Sequence, residues 1–132
     1  MYVHLKIIGF LLIVLALLHF IFPKYFKWET DLKPLSLINK EMMVIHTFFI
    51  AFTVFLMGIL CLIETTAIIN SSLGKTIILG FGVFWFVRLI IQFFGYSSQL
   101  WKGKTLETIA HIAFSCLWVY FTSVFFMIGF GN

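Results

Sequence analysis

Four long apolar runs, separated by short polar connections, dominate the pattern of the chain. They cover roughly Val3–Phe22, Met42–Ile63, Thr76–Phe94 and Thr108–Phe130. Each approaches or exceeds the ~20 apolar residues that an α-helix needs to cross the hydrocarbon core. The runs are continuously apolar instead of alternating, which excludes the dyad pattern of a membrane β-barrel. The sequence therefore predicts an all-α integral membrane protein, a four-helix bundle forming a single domain over residues 1–132. The first run is longer than a signal-peptide core, and LLIVLALLHFIFPKYF, which covers its second half and the residues after it, carries no small-x-small cleavage site, so the run is expected to remain as a helix.

Polar residues interrupt these runs at helical spacing. On the third run Trp85, Arg88, Gln92 and Gln99 recur at i, i+3, i+7 and i+14. On the fourth, Glu107, His111, Ser115, Trp118 and Thr122 share one face, with Ser123 off it. The second run carries a thinner stripe of Asn39, Met43, His46, Thr53 and Met57, and the first offers only His4 and His19. Lipid cannot satisfy such groups, so these stripes are expected to face protein or a water-filled cavity. Measured from the helix ends nearer the lysine-rich loops, His46, Arg88 and His111 each fall about 10 Å in, at 1.5 Å per residue. His19, Gln92 and Glu107 are shallower in the same layer. Glu107 is the expected carboxylate partner of Arg88, with Glu41 as its competitor.

Composition adds to this picture in two ways. With 62% hydrophobic and 11% charged residues and a mean hydropathy of +1.11, the chain lies outside the range of soluble domains. Its net charge of +4 is spread between apolar segments and forms no basic stripe, which argues against nucleic-acid binding. Lys24, Lys27, Lys33, Lys40, Lys102 and Lys104 lie in the connections on one side, against Lys6 and Lys75 on the other. The positive-inside rule then places the lysine-rich side in the cytoplasm and both termini outside, in what is expected to be a bacterial plasma membrane. The segment PKYFKWETDLKPLSLINKE mixes aromatic and basic anchors and is expected to lie along the membrane surface. Asn39 is the expected N-cap of the second helix, with Glu41 in its first turn, and Thr105 or Thr108 that of the fourth. Cys61 and Cys116 differ in expected depth by ~15 Å, beyond the reach of a disulfide.

The polar layer sets the candidate chemistry. Imidazoles from different helices suit a b-type haem or a transition metal. His46 and His111 would be the axial ligands, with Arg88, Gln92, Trp85 and Trp118 around the cofactor. The metal variant is a set of His19, His46, His111 and Glu107. No H-x-x-x-H or E-x-x-H pair supplies two ligands from one helix. Other readings fit the same residues: a non-catalytic subunit or assembly partner of a larger membrane complex, an enzyme acting on a lipid, or a small transporter. In the enzyme, Arg88 with Lys102 or Lys104 would hold a phosphate or carboxylate head. The transporter would be a homo-oligomer. The expected partners are thus the bilayer, further copies of the chain or other membrane subunits.

Overall fold

The computed structural model of the chain describes residues 1–95 and 103–131. They form seven helices: α1 (Tyr2–Leu18), α2 (Phe22–Tyr25), α3 (Trp28–Asp31), α4 (Leu37–Ile63), α5 (Thr65–Asn70), α6 (Ser72–Phe94) and α7 (Thr105–Phe130). No strand occurs among the described residues. Helices α4, α6 and α7 are long and apolar enough to cross a membrane, and α1 is a shorter apolar helix of 17 residues.

The boundaries differ from the sequence expectation for local reasons. The first helix stops at Leu18 instead of reaching Phe22. A proline ring at position 23 would meet the carbonyl four residues earlier, and proline offers no N–H. The chain therefore tightens into i→i−3 bonds from His19, Phe20 and Ile21 and restarts as α2, with Pro23 in its first turn. Lys27, at φ 55°, turns the chain between α2 and α3. Helix α4 begins at Leu37, so Asn39 lies inside its first turn and is not the cap. Ser36 occupies the cap position without a side-chain bond, and Glu41 falls beyond the first turn. Helix α6 starts at Ser72 because Ser71 caps it, its Oγ accepting from the Gly74 N–H at 2.9 Å. Helix α7 begins at Thr105 behind Lys104, so neither Thr105 nor Thr108 is its cap.

The chain divides into two compact units, one of residues 3–65 and the other running from Thr66 onward together with Met1 and Tyr2. In the first, α1 and α4 run antiparallel. Gly9 and Gly58 meet where the backbones come closest: a Cβ on Gly58 would stand 2.7 Å from the Gly9 carbonyl oxygen. Lys6 donates from Nζ to the Leu62 carbonyl at 2.6 Å, near the end of α4. In the second unit α6 and α7 are likewise antiparallel. Their contacts run from Lys75 and Gly131 at one end, through Phe81 and Phe125, to Gln92 and His111 at the other. Lys75 repeats the part of Lys6, donating to the Gly131 carbonyl at 2.8 Å. In each unit a lysine near the start of one helix thus meets a carbonyl at the negative end of its antiparallel neighbour.

The stripes on α6 and α7 turn inward as the bilayer rule requires. Trp85, Gln92, Ser115, Trp118 and Thr122 are buried, Arg88, Glu107 and His111 half-buried, and Ser123 exposed. The stripe on α4 departs from the expectation. Its Met57 is buried, but Asn39, Met43, His46 and Thr53 are exposed.

Candidate functional site

Near one end of the α6–α7 hairpin, a glutamine organises the polar residues. Arg88 and Gln92 are one helical turn apart, so their side chains lie over each other on α6. Arg88 donates from a guanidinium nitrogen to Gln92 Oε1 at 3.2 Å. The same amide turns its nitrogen across to α7, where Nε2 stands 3.1 Å from His111 Nδ1 and 3.4 Å from the His111 carbonyl oxygen. Ser115 donates to that carbonyl as well, at 2.7 Å.

These contacts define the proton on His111. A guanidinium has only donors, so the amide atom facing Arg88 must be the oxygen. The other end of the amide is then the NH2 group, and His111 Nδ1 can only accept from it. A neutral imidazole accepting at Nδ1 carries its proton on Nε2. Arg88 therefore fixes the amide, and the amide fixes the tautomer.

Below this network lies an aromatic layer. Trp85 and Trp118 stack with ring centroids 4.8 Å apart and planes 22° from parallel, and Phe121 meets Trp85 edge-on at 5.3 Å. The Arg88 guanidinium carbon sits 5.3 Å from the Trp118 ring centroid, within cation–π range. Both indole N–H groups and the Thr122 hydroxyl are buried without a hydrogen-bond partner among the described residues. An indole N–H can only donate. Arg88 and the two indoles, groups that only donate, thus lie together in the α6–α7 hairpin.

The expected site residues fall into the two units. Trp85, Arg88, Gln92, Glu107, His111 and Trp118 belong to the second, and all but Glu107 are joined by the contacts above. The described contacts of Arg88 are with Gln92 and Trp118; Glu107 lies in the first turn of α7, one turn before His111. His19 and His46 belong to the first unit. Each places Nδ1 2.8 Å from the carbonyl four residues before it, that of Leu15 and of Met42 respectively. A carbonyl only accepts, so both rings keep their proton on Nδ1, the opposite tautomer to His111. Gln99, Trp101 and Lys102 lie outside the described residues.

A metal ligand needs an imidazole nitrogen with its lone pair directed at the metal and the other ring N–H held by an acceptor. His19 and His46 have that form, and His111 does not. Among the described residues no group of three or more His, Cys, Asp or Glu side chains is placed to hold a metal ion. The i, i+4 spacing of Arg88 and Gln92 is the sequence signal for their pairing. The lysine–carbonyl contacts at the other helix ends had no sequence signal, since they join residues 56 apart. Comparison of the chain with protein-family models, with curated proteins and with solved structures finds no match.

Proposed function

We propose that the protein is an integral membrane protein that binds the acidic head group of an amphiphile, a phosphate or a carboxylate, at Arg88, Gln92 and His111. The network of Arg88, Gln92 and His111 supports this reading. Arg88 lies about 9 Å from the end of a spanning helix, at 1.5 Å per residue, a depth at which ionisable residues mark function. Beside it, the His111 ring carries its proton on Nε2 by its tautomer. A guanidinium and an imidazole N–H are both groups from which a phosphate or carboxylate accepts. The haem and metal readings gain no comparable support, because the His111 tautomer and the absence of a ligand cluster among the described residues both run against them.

In this reading α1, about 26 Å long at 1.5 Å per residue, completes a bundle of four spans with the turn that follows it. The lysine-rich connections face the cytoplasm of a bacterial cell and both termini lie outside. The amphiphile reaches the site from the cytoplasmic leaflet. The test is lipid retention. Full-length protein in nanodiscs is expected to hold phosphatidylglycerol in preference to phosphatidylcholine through native mass spectrometry, and Arg88→Gln to lose the preference. An absorption spectrum and metal analysis of the same preparation tests the competing chemistry. A Soret band lost in His46→Ala or His111→Ala would replace this reading with a haem site.

A second reading, a subunit of a larger assembly, rests on α4. Asn39, Met43, His46 and Thr53 follow the 4-3 spacing of a helix–helix seam, and all four are exposed. A polar seam in a membrane helix calls for a protein neighbour, and a second copy of the chain supplies one.

A further inference from the structure

A cleft lies within the first unit. The turn after α1, through His19 and Phe20, and Pro23 of α2 form one wall. The first half of α4 forms the other, through Val44, Thr47, Phe48 and Ala51. The cleft encloses about 180 Å³. That is smaller than the roughly 300–1,000 Å³ of a pocket for a whole drug-sized molecule, and comparable with the ~150 Å³ that holds a benzene ring. It accommodates one ring with its substituents, and a longer molecule would have to leave its tail outside, in lipid.

The polarity of the lining is specific. Apart from two residues it is apolar, and those two offer acceptors. His19 gives its Nδ1 proton to the Leu15 carbonyl, so the remaining edge of the ring carries the Nε2 lone pair. The ring is packed by Phe22 at 4.9 Å. Thr47 spends its hydroxyl proton on the Met43 carbonyl at 2.8 Å, so its oxygen also has only lone pairs to offer. An apolar ring with an acidic hydroxyl complements such a lining, whereas a carbonyl or an anion would face two acceptors. His46 makes the same bond to the carbonyl four residues before it but is exposed and does not line the cleft.

We propose that the cleft between the turn after α1 and the first half of α4 binds the hydroxylated ring of a membrane-soluble phenol or hydroquinone, with His19 Nε2 accepting the phenolic hydrogen and Thr47 as the second acceptor. This is independent of the anion site on α6 and α7. It uses different residues and the opposite hydrogen-bond polarity.

A matched pair of probes tests it: 4-nonylphenol and its methyl ether, which differ only in the donor hydrogen. Binding to the full-length protein in nanodiscs, corrected for partition into empty nanodiscs, is expected to favour the phenol about tenfold, as one hydrogen bond would. His19→Phe keeps the ring packing and removes the acceptor. It should bring the two probes within about twofold of each other, with ether binding unchanged. Val44→Phe, at an exposed position on the rim, fills the cleft and should weaken both. Equal binding of the two probes to the unaltered protein overturns the proposal. A preference for the phenol that survives His19→Phe combined with Thr47→Val, or that is untouched by Val44→Phe, also overturns it.

Discussion

Gln92 on α6 donates from Nε2 to Nδ1 of His111 on α7 across 3.1 Å, while its oxygen accepts from Arg88. The glutamine is buried and has both ends engaged, so three side chains share one assignment of hydrogens. The first prediction follows from that assignment. Nitrogen-15 NMR of labelled imidazole should find His111 with Nδ1 unprotonated and Nε2 protonated, whereas His19 and His46 should show the reverse. Gln92→Glu removes the donor while keeping an acceptor for Arg88, and should move the His111 proton to Nδ1. An unchanged His111 signal in that variant would break the link between Arg88 and the ring.

The aromatic layer separates packing from hydrogen bonding. Trp118→Ala leaves Trp85 without its stacking partner and opens a void, at an expected cost of about 3–5 kcal/mol. Trp118→Phe retains a ring and removes an indole N–H that is buried without a partner among the described residues, so its cost should stay under about 1 kcal/mol. Reversible unfolding in mild detergent measures both. If Trp118→Phe costs as much as the alanine variant, the indole nitrogen has a structural bond.

Two glycines on different faces make a steric contrast in the same measurement. A Cβ at Gly58 would approach the Gly9 carbonyl oxygen and Ile13 Cγ1 at 2.7 and 2.9 Å, one of them rigid backbone. Gly58→Ala should therefore force α1 and α4 apart and cost about 1–3 kcal/mol. At Gly80 a Cβ meets nothing within 4 Å. Gly80→Ala should be neutral, or stabilise α6 by up to about 1 kcal/mol through helix propensity.

How far these features were legible in the sequence depends on their range. Helicity, and which residues share a face of α6 or α7, follow from hydrophobic periodicity, and the inward turn of Trp85, Gln92, Ser115, Trp118 and Thr122 follows from what lipid cannot satisfy. The helix starts were less accessible because local competition sets them: Ser71 captures α6 four residues early, and Pro23 ends α1 a turn early. For Arg88, opposite charge points to a carboxylate on another helix, whereas the contact described is with a neutral amide one turn away, which offers an acceptor and a bridge to His111. Periodicity also does not show that Asn39, Met43, His46 and Thr53 of the α4 stripe are exposed, since exposure depends on tertiary packing.

That exposed stripe supplies a further prediction. In a background of Cys61→Ala and Cys116→Ser, single cysteines replacing Asn39, Met43, His46 or Thr53 should form oxidative cross-links between two chains in the membrane. Ile45→Cys and Phe52→Cys, on the opposite side of α4, should not. Cross-linking without this periodicity, or a monomer at every position, would remove the assembly reading.

Arg88 is proposed as an anion receptor, and the most direct measurement of that role is the relative affinity for phosphatidylglycerol over phosphatidylcholine in nanodiscs. A charge-assisted hydrogen bond contributes about 1.5–3 kcal/mol, or roughly ten- to a hundredfold in affinity. The unaltered protein should show a preference of that order. Arg88→Gln should abolish it, and Gln92→Leu, which releases the guanidinium from its acceptor, should reduce it. Equal affinity for the two lipids in the unaltered protein, or a preference that persists in Arg88→Gln, would contradict the account.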